Sequence, residues 1–368
     1  MGQCICLLKS IFTCAIIDAI TGFPHRKTGM AMIITKTPFR MSFFGGGTDL
    51  PQFFREHGGA VISSSFDKYC YVTVRHLPPF FDYRTELSYS LTERVTTTED
   101  IRHPAIREAM RYLDMHDLRL TYEADLPART GLGTSSSFAV GMLNAFHALK
   151  GTCAGKRQLS DEAIFLEREL CREAGGWQDQ IAAAFGGLNR IDFLPGGSYE
   201  VQPIAISPRR KQALNDRLML FFTGFTRFSS EIQQSTTATM QDKTRQLLDM
   251  LALVEDAQEI LINSQANLDD FGRLLDLSWR LKRQTGSKIS TDSIDALYEK
   301  ALSAGAIGGK LLGAGGGGFL LFYVPVERQP SVEQALNGLM KVPFRFEDDG
   351  TQIIHNSPEL YIPRGSSL

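Results

Sequence analysis

The sequence predicts an α+β protein of two domains. Short β-rich runs mix with helices, without the regular strand-helix-strand period of a doubly wound parallel sheet. The 368 residues suffice for about two domains of roughly 150 residues each. Hydrophobic residues at 43% and charged residues at 22% are the balance of a soluble globular chain with a substantial core, which excludes a disordered or fibrous protein.

Strands are expected over 33–44, 59–65, 69–74 and 118–123, with helices near 135–150 and 160–173. A second block opens with a strand over 218–223 and continues through helical stretches around 240–266, 270–284 and 292–304. Two apolar strands then flank the glycine run 313–318. No low-complexity linker separates the blocks, so the division is drawn as 32–210 and 211–368.

Residues 1–31 stand apart. Lys9 and Asp18 interrupt their apolar run, leaving no stretch of about 18–20 apolar residues able to span a bilayer. A basic start and a small-residue cleavage site are not well formed either. The extension is expected to be poorly ordered or to lie upstream of the native start, because Met30 and Met32 directly precede the first strand.

Thirty-nine Lys+Arg against 41 Asp+Glu give a formal charge of −2, so no overall field favours nucleic acid or an anionic membrane. Any anionic ligand must be held locally. The six cysteines, Cys4, Cys6, Cys14, Cys70, Cys153 and Cys171, form no CxxC pair and no metal-type spacing, which points to a reduced, cytoplasmic compartment.

The strongest local signal is the run from Leu126 to Phe138, which holds Gly131-Leu132-Gly133-Thr134-Ser135-Ser136-Ser137 between a strand and a helix. Gly131 and Gly133 can take positive φ, and the free N–H groups of the helix start make an anion cradle. Hydroxyls on Thr134, Ser135, Ser136 and Ser137 can bond phosphate oxygens or occupy a Mg²⁺ position. A Ser-capped helix after a flexible loop is the alternative. The segment is neither a P-loop nor a GxGxxG turn.

Ser160, Asp161 and Glu162 read as a helix start. On that helix Glu167 has Ala163, Ile164, Leu170 and Cys171 at i±3 and i±4, so its carboxylate faces inward and needs a metal or a buried partner. Glu169, beside Arg172 and Glu173, reads as solvated. Gly175-Gly176-Trp177-Gln178 then places Asp179 at the start of a short helix, either as an N-cap or as a carboxylate that accepts or orients a hydroxyl proton.

Near the start, Arg40 and Asp49 bracket Gly45-Gly46-Gly47. The Arg40 guanidinium suits a carboxylate such as Asp179, or transferring charge, and Asp49 can accept from sugar hydroxyls. Late in the chain, five glycines among the six residues 313–318 exceed what a plain hairpin needs, implying backbone packed against a ligand or another loop, with Gly315 and Gly316 at its centre.

Together these motifs resemble the GHMP small-molecule kinases over about residues 32 to 362. The resemblance implies an N-terminal domain like ribosomal protein S5 and a ferredoxin-like C-terminal domain, with ATP in the first and the acceptor between them. It implies that Gly131, Leu132, Gly133, Thr134, Ser135 and Ser136 form the phosphate loop and that Ser135 and Glu167 hold Mg²⁺. Asp179 then matches the catalytic Asp with Arg40 beside it, and Asp49, Gly46, Gly47, Gly315 and Gly316 line the substrate.

At Gly46-Gly47 galactokinases carry Glu-His, whereas the run from Phe44 to Leu50 looks more like the D-glycero-D-manno-heptose 7-phosphate kinases, with fucokinase-like enzymes nearby. The implied reaction is transfer of the ATP γ-phosphoryl group to the anomeric hydroxyl of a sugar phosphate. Fucokinase-like, galactokinase-like and mevalonate-type kinases are the alternatives, as is a non-catalytic ligand sensor of the same fold. A sugar or sugar phosphate is the expected partner, nucleic acid and membrane are not, and a homodimer is compatible. A phosphorylated acceptor would need a second anion holder, for which Lys282, Arg283, Lys288, Arg227 and Arg129 are candidates.

Overall fold

The computed structural model describes residues 30–224, 244–286 and 289–359. The expected extension therefore lies outside the described residues apart from its last two positions, as do Arg227 and Lys288. Among the described residues no helix is long and apolar enough to cross a membrane.

Strand β1 (Met30–Phe44) is the spine. Its first half buries Ile33, Thr35 and Thr37 and leaves the residues between them half-buried, as a strand covered on one face does. From Pro38 onward every residue through Gly45 is buried, because the second domain covers the other face. The two strands expected over 59–65 and 69–74 are one long strand, β2 (Gly59–His76), antiparallel to β1. Its C-terminal half pairs with β5 (Leu118–Ala124) and its N-terminal half with β6 (Leu188–Leu194), which carries β7 (Ser198–Pro203). Strands β3 (Thr85–Ser88) and β4 (Thr92–Val95) complete that edge.

Helices α1 (Pro51–His57), α2 (Pro104–Tyr112), α3 (Thr134–Leu149), α4 (Lys156–Phe165) and α5 (Gln178–Phe185) belong to this first domain. The long helix α3 seats on β1 through short polar side chains. Thr35 Oγ1 donates to the Gly141 carbonyl at 3.0 Å and Ser137 Oγ to the Pro38 carbonyl at 2.9 Å. The start expected at Ser160 is not a start: α4 begins at Lys156, and Ser160 sits mid-helix, bonding the Arg157 carbonyl and the Tyr199 hydroxyl. Its burial gives the hydroxyl partners that a capping role would otherwise supply.

After α6 (Pro208–Arg217) the second domain runs β8 (Leu218–Phe222), α7 (Thr244–Ile262), α8 (Asp269–Gln284), α9 (Asp292–Ser303), β9 (Gly308–Leu311), β10 (Phe319–Tyr323), α10 (Gln329–Ala335) and β11 (Met340–Val342). The sheet order β11-β8-β10-β9, all antiparallel, is that of a ferredoxin-like domain. One core joins the two domains: Phe43 and Phe44 of β1 both meet the edge or face of Phe271 of α8, with ring centroids 5.5 and 5.1 Å apart.

The division at 211–368 needs a correction. Strands β12 (Phe346–Glu347) and β13 (Gln352–Glu359) leave the second domain and pair with β2 and β1 in the first sheet. The physical reason is the free edge of β1, whose unpaired N–H and C=O groups β13 satisfies. On its way this strap crosses the C-terminal end of α5. Thr351 N–H donates to the Ala183 carbonyl at 3.0 Å, and a Cβ on Gly350 would stand 2.1 Å from the Ala184 carbonyl oxygen. Gly350→Ala therefore forces backbone against backbone, and we expect it to cost about 2 kcal/mol, lowering the thermal midpoint by roughly 4 °C. A differential scanning measurement showing an unchanged midpoint would refute this crossing.

Candidate active site

Arg40 gathers the site. Its guanidinium clamps Asp179 through both carboxylate oxygens, Nε to Oδ1 and Nη2 to Oδ2 at 2.9 Å each. The remaining nitrogen, Nη1, donates to the Gly131 carbonyl at 2.6 Å, and the Arg40 backbone N–H donates to the Leu132 carbonyl at 3.1 Å. The arginine is 4% exposed and the Asp179 side chain 27%, so the cation is enclosed while the acid keeps an open side. Asp179 lies in the first turn of α5 yet caps nothing, since its oxygens are committed to Arg40.

The cradle lies directly beside this pair. A Cβ on Gly133 would meet Arg40 Cγ at 3.3 Å and the Asp179 carboxylate carbon at 3.5 Å. Gly133, at φ 72°, precedes α3, and no side chain caps that helix. The hydroxyls that could have done so are engaged elsewhere: Ser136 bonds Glu167 and Ser137 bonds Pro38. The Ser-capped alternative is therefore not realised, and the first-turn N–H groups stay available to an anion. Leu132 is fully buried, Thr134 is buried and Ser135 is exposed.

Glu167 is 2% exposed and lies on a π-helical turn over Leu166–Leu170, as an inward-facing carboxylate was expected to. Ser136 Oγ donates to it at 2.9 Å, Gln180 Nε2 donates as well, and Arg168 Nη2 stands at 3.4 Å. Burial pushes its carboxyl up to about 7 despite the Arg168 charge, so these partners leave its negative charge under-compensated. Glu169 is exposed.

Asp49, 3% exposed, accepts the Gly47 N–H at 2.9 Å and the Gln178 N–H at 3.4 Å. Burial raises its carboxyl above the ordinary range, and the Asp179 charge adds to that. Gly176 is required here, because its Cβ would stand 1.7 Å from Asp49 Oδ2. Gly46 and Gly47 are half-buried, and a Cβ on Gly46 would lie 3.6 Å from Ser42 Oγ and 3.8 Å from Gln178 Nε2. Both Ser42 Oγ and Gln178 Oε1 are buried without a hydrogen-bond partner.

The late glycine run meets the cradle backbone to backbone. A Cβ on Gly313 would stand 2.2 Å from Gly131 Cα, and one on Gly318 would stand 2.2 Å from the Thr130 carbonyl oxygen. Gly315 and Gly316, expected at the substrate, are instead buried against Ile289, whose carbonyl accepts the Gly316 N–H at 3.0 Å. The loop folds back on its own domain at its centre and reaches the cradle with its ends.

Of the candidate anion holders, Lys282 reaches the site, where its Nζ donates to the Gly313 carbonyl. Arg283 points elsewhere and pairs with Asp295 at 2.8 Å. Arg129 is exposed at φ 63° two residues before Gly131. Sequence reasoning missed Lys310 and Gln180. Lys310 is 2% exposed and donates to the Phe43 carbonyl at 2.7 Å. Its signal was a lysine inside an otherwise apolar strand. Gln180, fully buried, had none beyond its place next to Asp179.

Comparison with known proteins agrees with this geometry. Residues 101–187 match the model of the GHMP kinases N-terminal domain, and residues 255–341 that of the GHMP kinases C-terminal domain. A D-glycero-alpha-D-manno-heptose 7-phosphate kinase of Campylobacter jejuni is 30% identical over 322 residues, covering 83% of this chain and 94% of that one. A bifunctional fucokinase/GDP-fucose pyrophosphorylase of Arabidopsis thaliana is 24% identical over 81% of this chain, which spans only 30% of that longer protein. Among solved structures, a D-glycero-D-manno-heptose 1-phosphate kinase from Bacteriodes thetaiotaomicron superposes with a TM-score of 0.71 at 25% identity, covering 90% of this chain and 100% of that one. The chain belongs to the GHMP kinase family and is an ATP-dependent kinase of small molecules.

Proposed function

We propose that the protein transfers the ATP γ-phosphoryl group to the anomeric hydroxyl of a sugar phosphate, with D-glycero-D-manno-heptose 7-phosphate as the favoured acceptor. The observation that carries this reading is the contact between the Arg40-Asp179 pair and Gly133, which sets a carboxylate at the mouth of an uncapped helix start. Phosphoryl transfer asks for little else than an in-line hydroxyl and neutralised charge. The loop N–H groups hold the polyphosphate. Asp179 accepts or orients the acceptor proton, with Arg40 holding and aiming it through both oxygens.

Asp49, Ser42 and Gln178 supply hydrogen-bonding atoms along the opposite wall, suited to a polyhydroxylated acceptor. The missing side chain at Gly46 leaves Ser42 and Gln178 uncovered, whereas a Cβ on Gly47 would meet Leu247 at 3.1 Å. The 30% identity to the Campylobacter jejuni enzyme supports the heptose phosphate.

A hard divalent cation fits the oxygen donors at the cradle. Glu167 is a buried, under-compensated carboxylate next to a serine-rich helix start, and Ser135 presents a hydroxyl there. Mg²⁺ held by these two would neutralise part of the polyphosphate charge.

Three outcomes are expected. With ATP and a panel of heptose 7-phosphate, fucose, galactose and mevalonate, kcat/KM should favour heptose 7-phosphate by at least about tenfold, a factor worth roughly 1.4 kcal/mol. The ³¹P spectrum should show an anomeric phosphate. A preference for mevalonate or fucose would overturn the assignment. Asp179→Asn should lower kcat by roughly 10²- to 10⁴-fold with little change in KM for ATP, the range for a positioned acid or base. Turnover near the wild-type rate would remove Asp179 from the chemistry.

For Glu167 the sign of the pH dependence decides between ligand and structural pair. A carboxyl held at about 7 against an ordinary 4.5 binds a proton in the native state that the unfolded chain has released, so stability falls as pH rises through that window. Glu167→Gln carries no such proton. In metal-free buffer it should therefore gain on the wild type between pH 5 and pH 8, by about 2–3 kcal/mol, while losing turnover with Mg-ATP. The Gln180 amide, whose Oε1 lacks a partner, can turn to accept from it. A variant less stable than wild type at pH 8 in urea titration would instead make Glu167 the structural partner of Arg168.

A further inference from the structure

Two lysines of the second domain enter the cleft without a carboxylate partner. Lys282, in the last turn of α8, spends one of its three donors on the Gly313 carbonyl. Lys310, in β9, spends one on the Phe43 carbonyl across the domain boundary. Neither forms an ion pair among the described residues. Both carboxylates nearby are already engaged: Asp179 by the Arg40 fork, and Asp49 by the backbone N–H groups of Gly47 and Gln178.

The result is a basic cluster whose members are not matched one to one by acids. Arg40 and Lys282 face Asp49 and Asp179, while Lys310 lies behind them with Lys282 and Arg40 as its charged neighbours. Burial lowers both ammonium groups, Lys282 to about 8; Arg40 lowers both further and Lys282 adds to the shift of Lys310, whereas Asp49 and Asp179 partly offset that of Lys282. A protein gains nothing in stability from two buried, unpaired ammonium groups. An arriving anion reverses that balance. Phosphate chemistry suits the place, because Lys282 hangs from the same Gly313 that packs on Gly131 of the cradle, and Ser42 Oγ lies buried and unpartnered next to Phe43.

We propose that Lys282, backed by Lys310, forms a phosphate-binding subsite on the second-domain wall of the cleft, taking either the phosphate monoester of the acceptor or the γ-phosphoryl group in transit. The assignment rests on the reading of the cleft as a kinase site, and two donors of the half-buried Lys282 ammonium remain for the ligand, while Lys310, buried, stands behind it. It also explains why Arg283, one residue on, does not serve: its charge is already spent on Asp295.

The test compares wild type, Lys282→Met and Lys282→Arg on a sugar phosphate and on the same sugar without its phosphate. If the subsite holds the acceptor's phosphate, Lys282→Met should lower the kcat/KM preference for the phosphorylated acceptor by about 30-fold, the scale of a charge-assisted hydrogen bond, acting through KM. If it holds the transferring group, kcat should fall by about that factor on both acceptors with both KM values kept. Lys282→Arg, which keeps the charge, should recover most of the loss in either case.

Changes below threefold in every parameter, in a variant with wild-type circular dichroism, would overturn the subsite. Should Lys282→Met fail to fold, or should the wild type phosphorylate no acceptor, calorimetric titration with inorganic phosphate still decides. Millimolar binding by the wild type, kept in Lys282→Arg and lost in Lys282→Met or, where that variant does not fold, in Lys282→Gln, upholds the subsite even where the kinase reading has failed; binding unchanged in the neutral variant overturns it. No heat of binding in the wild type removes it.

Discussion

Every part of the site hangs from the Arg40 fork. One guanidinium holds Asp179 by both oxygens and the Gly131 carbonyl by its third nitrogen, while the same residue's N–H takes the Leu132 carbonyl. Strand β1, the cradle and helix α5 are thus tied at a single side chain, though they lie far apart in sequence. Planarity is what makes this possible, since a lysine could offer a charge at that point but no fixed set of directions. The fork is itself fixed, because β1 from Pro38 onward is enclosed on both faces. Aim at the acid is therefore set by packing several residues away, and the aromatic contacts of Phe43 and Phe44 with Phe271 extend that rigidity into the second domain.

A second constraint follows from enclosing so much charge. Asp49, Glu167, Arg40, Lys282 and Lys310 all lie wholly or mostly out of water. Burial raises Asp49 and Glu167 and lowers the two lysines, toward the neutral form in each case, since none of the four has a full counter-charge to offset it. Such an arrangement costs stability, and under the proposed function a charged substrate would offset that cost, so that binding energy could be directed at the reacting groups. The backbone-to-backbone contact of Gly131 with Gly313 closes the cradle on one side with main chain alone.

Much of this was legible in the sequence, and the misses have local causes. The cradle, the inward carboxylate of Glu167 and the pairing of Arg40 with Asp179 are among the readings the residue types allow, beside a Ser-capped helix and an N-cap at Asp179, and only the fold separates them. Ser160 misled because a hydroxyl followed by acids imitates a cap, and its true partner, Tyr199, is 39 residues away. The strap of β12 and β13 could not be read from its own composition, since what draws it to the first sheet is the open edge of β1. A glycine run says that something comes close without saying whether it is a ligand or another loop, and at Gly315 and Gly316 the backbone of Ile289 is one such neighbour. Lys310 is hard to read from sequence because what buries it is Phe43 of the first domain, while α8 of its own domain covers Gly308 of the same strand.

Specificity for the acceptor depends on features that hold less information in sequence than in space. The wall beside Asp49 is bounded by Gly46, whose missing side chain leaves Ser42 and Gln178 uncovered, and by two atoms, Ser42 Oγ and Gln178 Oε1, without a hydrogen-bond partner among the described residues. A buried polar atom without a partner costs free energy, so it persists where a ligand group supplies the partner. An acceptor that offers hydroxyls at both points recovers that cost, and one lacking them leaves it in place. Discrimination of this kind is steep, because it penalises the wrong ligand rather than merely rewarding the right one. Under the proposed function the same reasoning applies to Lys282, whose ammonium forms no ion pair among the described residues: a neutral acceptor leaves it so, and a phosphorylated one would supply its counter-charge. Open hydrogen bonds beside Asp49 and an unpaired ammonium at Lys282 are together what supports a ligand polyhydroxylated along its length and anionic at a point.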